Sequence, residues 1–291
     1  MNRQLTPNLV SFFTRALESF QLSNASFSVL CSLPSLTEPA PRPPQKVPQM
    51  LLVLDSSFNP PTLAHQRMAV SALKEERHAK GSRVLLLLAI NNADKAPKPA
   101  TFPQRLAMMY VFALDLITAL NASGTGTEVD LAVTTEPYFP FKSQAITASG
   151  FYGGEDATME QVYLTGFDTL IRVFDPKYYP NDSMRQALDP FLSHSSLRVT
   201  MRTDADWGSA EEQLAYLEDL KHGKMEAIGG RKEWAAKVEM VEGRKESEEV
   251  ISSTKVRDAV QTGNWGRLRE LVSDSVADWV REERLYRNDT S

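Results

Sequence analysis

Two short runs of uninterrupted apolar residues, separated by a helical pattern, constrain the fold of this chain more than any other feature. The runs are MLLVLD (50–55) and RVLLLLAI (83–90), and the segment between them has helical periodicity and ends at Gly81. A strand that is apolar on both faces belongs in a parallel sheet covered by helices on both sides. Because helices and strands keep alternating, the sequence predicts an α/β fold with a doubly wound, Rossmann-like parallel sheet and C-terminal helices.

The same alternation predicts the rest of the sheet. A long apolar helix pattern follows the second run, and helical or loop segments separate the strand patterns that come after it. The later strands are expected at EVDLAVTT (128–135), MEQVYLTG (159–166), SLRVTMR (196–202) and the alternating edge strand KVEMVEG (237–243). The chain from residue 253 onward has the pattern of two or three helices, and no internal repeat is visible.

The chain before the first buried strand divides into two segments of different composition. Residues 1–33 combine an amphipathic helix, with apolar residues at helical spacing from Leu9 to Phe20, and a short strand, SFSVLCSL. Residues 34–49 contain six prolines, which predict a linker or exposed loop. We therefore expect three segments, of which the third, residues 50–291, forms the α/β domain.

Composition narrows the partners and the compartment that we expect. A formal net charge of −5 at pH 7 and a pI of about 5.5 disfavour a broad nucleic-acid surface but allow a local phosphate pocket. The single cysteine, Cys31, permits neither an internal disulfide nor a cysteine zinc site. No apolar run approaches the roughly 20 residues that span a bilayer, and the first residues lack a secretory pattern. These features predict a cytoplasmic or nuclear protein without membrane or nucleic-acid partners.

A polar turn follows the first buried strand, at the edge where parallel sheets bind ligands. The turn reads SSFNPP (56–61), Thr62 is a candidate helix N-cap, and His65 falls in the first helical turn. Helix N–H groups and the helix dipole favour an anion such as phosphate there. The same residues would also fit a plain turn with a surface histidine. Neither GxxxxGK[ST] nor GxGxxG occurs in the chain, which disfavours a P-loop kinase and an ordinary dinucleotide dehydrogenase.

A second candidate phosphate site lies near the end of the chain. The segment EEVISSTKVRDAV places Ser253 and Thr254 at the start of a helix and Arg257 one turn inside it. Hydroxyl, amide and guanidinium groups at this spacing suit a phosphate, although SST before a helix is most often a simple cap. Two such helix starts in one α/β chain suggest a polyphosphate that is held from both sides.

These motifs also carry a resemblance to a known family. SSFNPPTLAH resembles the GSFNPxTxxH form of the nucleotidylyltransferase signature, ISSTKVR resembles the ISSTxxR signature, and LTGFDTL between them resembles the G-x-D segment. Together they are most similar to nicotinamide mononucleotide adenylyltransferases of the fungal branch, over roughly residues 50–285. The resemblance implies a nucleotidylyltransferase domain over residues 50–291 that transfers AMP from ATP to nicotinamide mononucleotide, and also to nicotinate mononucleotide, and so forms the dinucleotide (NAD from the nicotinamide form) and pyrophosphate.

The resemblance further implies roles for individual positions. Three of them are expected to be catalytic: His65, Lys95 and Arg257. ATP is expected to contact Ser56, Ser57, Phe58, Thr62, His65, Gly166, Asp168, Ser253, Thr254 and Arg257. The mononucleotide acceptor is expected to contact Ser57, Phe58, Asn59, Lys95, Arg105, Tyr138 and Phe139. Mg²⁺ is expected to be bound mainly through the ATP phosphates, and no metal site on the protein is predicted.

The sequence departs from the family pattern at three places. Thr62 stands where the wider HxGH pattern has its first histidine, which is the variant of the eukaryotic type. Ser56 stands where the signature has glycine, which narrows the space beside the nucleotide. The family stacks a tryptophan on the nicotinamide ring, whereas the matching region here reads VTTEPYFPFKSQAI. Tyr138, Phe139 or Phe141 would have to supply the stacking face, and all three also fit a loop core.

Two other functions therefore stay open. One is a nucleotidylyltransferase with another acceptor, such as phosphopantetheine. The other is a nucleotide-binding or ATP-hydrolysing regulatory protein, which the altered acceptor region and the extra amino-terminal segment would suit. A homo-oligomer is compatible with the sequence, which specifies no symmetry.

Overall fold

All seven predicted strands pair into one sheet in the computed structural model of the protein. The structure describes residues 6–35, 39–75, 81–91, 99–122, 124, 126–153, 158–202, 207–243 and 249–287. The strands are β1 (Phe27–Leu33), β2 (Met50–Asp55), β3 (Ser82–Ala89), β4 (Val129–Thr134), β5 (Glu160–Gly166), β6 (Ser195–Thr200) and β7 (Val238–Val241). Their order is β1-β4-β3-β2-β5-β6-β7. β1 runs antiparallel to β4, and all other neighbours are parallel.

Helices connect the strands. The α-helices are α1 (Thr6–Leu22), α2 (Leu63–Leu73), α3 (Phe102–Ala122), α4 (Phe139–Ala148), α5 (Phe167–Val173), α6 (Met184–His194), α7 (Ala210–Lys221), α8 (Ser253–Gln261), α9 (Trp265–Leu271) and α10 (Asp274–Glu282). Short 3₁₀ turns occur at Pro176–Tyr178, Pro180–Asp182, Glu226–Ile228 and Lys232–Lys237. The C-terminal pattern of two or three helices resolves into three.

The helices cover both faces of the sheet because neighbouring residues of a strand point to opposite sides. In β2, Leu52 and Leu54 belong to one apolar core with α1, α2, α3 and α8 to α10. Leu51 and Val53 belong to a second core with α4 to α7. A strand buried on both faces needs an uninterrupted apolar sequence, which is the pattern that predicted it. The α/β, doubly wound, Rossmann-like sheet is therefore confirmed.

The amino-terminal segment contributes to the same sheet and core. Phe13 of α1 is fully buried, and its ring lies 6.3 Å from that of Tyr110 on α3. Ser32 of β1 donates a hydrogen bond to the buried carboxylate of Asp130, which also accepts hydrogen bonds from Arg83. Residues 1–33 differ in composition from residues 50–291, yet from α1 onward they pack with the strands of that segment.

One described helix, α3, is long and apolar enough by length and composition to cross a membrane. Most of its apolar side chains are buried, and the helix packs between α1, α10 and the sheet. The helix is apolar on average and contains no uninterrupted apolar run of that length, because Arg105 and Asp115 interrupt it. α3 is therefore buried as a central helix of the core.

A crevice opens at the carboxyl edge of the sheet between β2 and β5. Their pairing runs from Met50–Glu160 to Val53–Tyr163 and then stops, so the last residues of the two strands separate. The chain continues from β2 toward β3 on one side and from β5 toward β6 on the other, so the strand order reverses at this point. Doubly wound sheets bind their ligands at such a switch point.

Candidate active site

A cavity of about 740 Å³ lies at the switch point, where β2, β5, β6 and β7 end. The first turns of α2 and α8 line it, so two helix N-termini, which favour anions, meet at one space. The predicted residues that line it are Ser56, Ser57, Thr62, His65, Gly166, Asp168, Ser253, Thr254 and Arg257. The fold thus brings together the SSFNPPTLAH motif, the ISSTKVR motif and the G-x-D segment.

The other predicted residues have different surroundings. Phe58, Asn59, Arg105, Tyr138 and Phe139 do not line this cavity. Lys95 falls outside the described residues.

His65 is fixed by the start of the helix that carries it. Thr62 is the N-cap of α2, and its backbone N–H donates to His65 Nδ1 over 2.9 Å. The Thr62 hydroxyl lies 2.9 Å from the same nitrogen. His65 therefore occupies the place that Glu or Gln takes in a capping box. On the other side of the ring, Nε2 lies 2.9 Å from Ser56 Oγ.

These contacts settle the protonation state of the ring. Because a backbone N–H can only donate, Nδ1 must accept, and the single proton of the neutral ring sits on Nε2. Burial lowers the pKa of His65 to about 4, well below its ordinary value of 6.5. His65 is consequently a neutral hydrogen-bond donor at physiological pH rather than a cation.

The turn before α2 is held in an unusual backbone conformation. Phe58 has a φ of 44°, in the left-handed region that non-glycine residues seldom adopt. Its side chain is fully buried, with the ring 5.3 Å from the His65 ring. Phe58 can therefore offer only its backbone to a ligand, while its ring anchors the turn beneath His65.

α8 is joined to this turn by direct hydrogen bonds. Arg257 donates from Nη1 to the carbonyl oxygen of Asn59 over 2.9 Å and from Nη2 to Thr254 Oγ1 over 3.1 Å. Ser253 donates from Oγ to the carbonyl oxygen of Pro60 over 2.8 Å. The two motifs, which are separated by most of the chain, thus form one structural unit at the cavity.

The C-terminal segment also contacts the turn before α2. Tyr286 donates its hydroxyl to Asn59 Oδ1 over 2.8 Å, and both side chains are buried. Burial raises the pKa of Tyr286, so this phenol stays protonated and donates. Burial and the nearby Arg257 lower the pKa of Arg105, while Tyr286 raises it. The side chain of Asn59 is therefore engaged inside the protein, and the Arg257 guanidinium influences that of Arg105 electrostatically.

The G-x-D segment forms the opposite wall of the cavity. Gly166 caps α5, and a Cβ at this position would lie 2.7 Å from Asp168 Oδ1. A side chain at this position would therefore displace the Asp168 carboxylate. The Asp168 carboxylate also lies 3.6 Å from Nη1 of Arg202, at the end of β6.

Comparison with known proteins agrees with this geometry. A curated protein of Schizosaccharomyces pombe, named "Putative nicotinamide mononucleotide adenylyltransferase", is 34% identical over 238 residues, which cover 82% of the chain and 86% of that protein. The chain belongs to the nicotinamide mononucleotide adenylyltransferase family. The fold is similar to that of Plasmodium falciparum nicotinic acid mononucleotide adenylyltransferase complexed with NaAD. The TM-score is 0.51 at 13% identity, over 82% of the chain and 97% of that structure, which supports the fold alone. No protein-family model matches the chain.

The aromatic residues that the sequence offers in place of the family's tryptophan fall into two groups. Tyr138 is half-buried, with its ring 6.0 Å from that of Tyr178 and 6.4 Å from that of the exposed Phe141. Phe139 instead packs into the second core, with its ring 5.1 Å from the fully buried Tyr163. Tyr138 and Phe139 are both half-buried, Phe141 is exposed, and Tyr178 lies beside Tyr138.

The side chains around the cavity do not form a metal cage. Within the described ranges, no group of three or more His, Cys, Asp or Glu side chains is arranged to hold an ion. The cavity lining combines the carboxylates of Asp55, Asp168, Glu242 and Glu249 with helix N-termini, hydroxyls and guanidinium groups. The last three suit the phosphates themselves.

Several residues at the site were not predicted from the sequence. Arg202 pairs with Asp168, Tyr178 lies beside Tyr138, and Tyr286 supports Asn59. Arg202 closes a predicted strand, and that position was a usable signal. The contacts of Tyr178 and Tyr286 depend on how distant segments fold together, so no local sequence pattern predicts them.

Proposed function

We propose that this chain transfers the adenylyl group of ATP to nicotinamide mononucleotide, releasing pyrophosphate and forming NAD. One observation carries the proposal: two helix N-termini, with His65 in the first turn of α2 and Arg257 one turn inside α8, line one cavity at the switch point of the sheet. A triphosphate needs donors on several sides, and this cavity supplies N–H, hydroxyl and guanidinium donors from both helices. Membership of the family supports the same conclusion.

The chemistry requires alignment and charge stabilisation. An oxygen of the acceptor phosphate attacks the α-phosphorus of ATP, the α–β P–O bond breaks, and its electron pair leaves with pyrophosphate. The attacking phosphate is already an anion, so no general base is needed. Arg257 and the start of α8 stabilise the β- and γ-phosphates, and the region of His65 stabilises charge at the reacting phosphate. His65 acts here by hydrogen bonding alone, because the ring is neutral.

Mg²⁺ supplies further charge neutralisation when it is bound, and we propose that ATP phosphate oxygens and water hold it. The acceptor base is proposed to stack on Tyr138, whose half-buried ring lies beside the rings of Tyr178 and the exposed Phe141. Lys95 and Arg105 stay candidates for the acceptor phosphate. The proposed partners are ATP and the mononucleotide, in the cytoplasm or nucleus.

Product analysis tests the proposal. The protein is incubated with ATP and Mg²⁺ and, separately, with nicotinamide mononucleotide, nicotinate mononucleotide and phosphopantetheine. We expect NAD and pyrophosphate in equal amounts with the first acceptor. Product with phosphopantetheine alone would reassign the acceptor, and ADP with phosphate alone would favour the regulatory alternative.

A matched pair of variants ties the activity to the cavity. Arg257→Met removes a guanidinium that lines the cavity, and we expect roughly a 100-fold loss of kcat/KM. Arg269→Met is the control, because Arg269 is exposed on α9 and its contacts are ion pairs with Asp274 and Asp278. Equal activity of both variants would contradict the proposed role of Arg257.

A further inference from the structure

Ser56, which stands where the family signature has glycine, contacts the histidine of the motif. Its Oγ lies 2.9 Å from His65 Nε2, and both residues are half-buried and line the cavity. The backbone N–H of Ser56 is already used in a hydrogen bond to the carbonyl oxygen of Leu87 in β3. The hydroxyl is thus the part of Ser56 that is available to the site.

The direction of the hydrogen bond between the two side chains follows from the contacts of His65. Thr62 donates to Nδ1, so the proton of the ring is on Nε2 and points at Ser56 Oγ. Ser56 therefore accepts this hydrogen bond. His65 has no free lone pair on Nε2 with which to take the Ser56 proton, and Ser56 is not an activated nucleophile.

The hydroxyl hydrogen of Ser56 is then left to donate elsewhere. A serine hydroxyl has one hydrogen and can donate once while it accepts once. Ser56 Oγ has no second hydrogen-bond partner among the residues that the structure describes. Because Ser56 lines the cavity beside the N-terminus of α2, an anion there is the complementary acceptor.

We propose that Ser56 is the group that contacts a phosphate oxygen of ATP, and that His65 acts through Ser56 rather than on the nucleotide directly. Nε2–H of His65 donates to Ser56 Oγ, and Ser56 Oγ–H donates to the phosphate oxygen. No proton is transferred. The polarised hydroxyl replaces the direct histidine contact, so Ser56 is a substrate-binding residue and His65 is a positioning residue. This inference rests on the proposed function in one respect, that the ligand is ATP.

Binding of ATP and of adenosine to Ser56→Ala and Ser56→Gly tests the assignment by calorimetry in the presence of Mg²⁺. A hydrogen bond to a charged group is lost in both variants, so we expect ATP to bind at least about tenfold more weakly. Adenosine has no phosphate, and we expect its affinity to stay within about twofold. Ser196→Ala is the matched control, since its hydroxyl binds Glu160 and its strand β6 begins at the opposite edge of the sheet.

A double-mutant cycle with His65→Ala tests the relay itself. If His65 acts through Ser56, adding His65→Ala to Ser56→Ala changes ATP affinity by less than about twofold, although His65→Ala alone weakens it. Multiplied losses would mean that the two residues contact ATP independently, and they would overturn the inference. Equal weakening of ATP and adenosine, or tighter ATP binding after removal of the hydroxyl, would overturn it as well.

The outcomes separate this inference from the proposed function. Selective loss of ATP affinity in the Ser56 variants, with no dinucleotide formed by the wild-type protein, would overturn the adenylyl transfer and support the Ser56 contact. Dinucleotide formation by the wild-type protein, with unchanged ATP affinity in the Ser56 variants, would support the adenylyl transfer and overturn the Ser56 contact. Failure of the wild-type protein to bind ATP would overturn both.

Discussion

His65 makes the stability of the protein depend on pH in a direction that the structure fixes. The folded state holds the ring neutral, with a pKa of about 4 against an ordinary value of 6.5. Below pH 6.5 the His65 ring binds a proton in the unfolded chain but stays neutral in the folded protein. The free energy of unfolding therefore falls as the pH falls. The loss is about 1.4 kcal/mol per pH unit between these two values and ends near pH 4.

The matched perturbation is His65→Gln, because a glutamine at this position can accept the Thr62 N–H as in a capping box but does not titrate. Between pH 8 and pH 5 the wild-type protein should lose up to about 2 kcal/mol relative to the variant. Urea unfolding of both proteins at pH 8, 6.5, 5.5 and 5 measures this difference. A difference that stays constant over this range, or an NMR titration of His65 centred near pH 6.5, would refute the reasoning.

Three further substitutions probe the supports of the site. Tyr286→Phe removes the hydroxyl that binds Asn59, and we expect about 1–3 kcal/mol lower stability in urea unfolding and a higher KM for ATP; an unchanged urea midpoint would contradict this. Gly166→Ala forces Asp168 to move, so a several-fold higher KM for ATP is expected in steady-state kinetics, and wild-type kinetics would show that the close approach is unimportant. Phe13→Ala should cost about 3–5 kcal/mol of stability with kcat unchanged at low temperature, whereas a cost below about 1 kcal/mol would mean that α1 is not part of the core.

Most of the sheet could be predicted because its strands carry a local signal. A parallel strand buried on both faces is continuous and apolar, and polar residues or turns end it. No specific helix was predicted for α6, and Pro190 lies inside Met184–His194 although proline is unfavourable in a helix interior. The strand that pairs with β1 could not be predicted from the sequence either. Its antiparallel pairing with β4, which places Phe27 opposite Thr134, depends on contacts far apart in the sequence.

The candidate site was predictable to the extent that its chemistry lies in contiguous motifs. The turn at 56–61 and the helix start at Ser253 were identified because capping residues and anion-binding groups occur at fixed spacing. What the sequence could not supply is the set of side-chain directions. Nothing in a linear pattern states that Ser56 points at His65, or that the Asn59 side chain faces Tyr286 rather than a ligand.

The turn at residues 56–61, for which we propose phosphate binding, is not an independent local structure. Its backbone is strained at Phe58, a conformation that costs about 1–3 kcal/mol and persists only when the surroundings enforce it. The enforcing contacts come from Ser253, Arg257 and Tyr286, which lie 193, 198 and 227 residues from their partners along the chain. A fragment that ends before α8 would keep the whole first motif and lose every one of these contacts. The geometry of this turn is therefore a product of the completed fold, and the second motif is required to build it, in addition to the ligand contacts proposed for that motif.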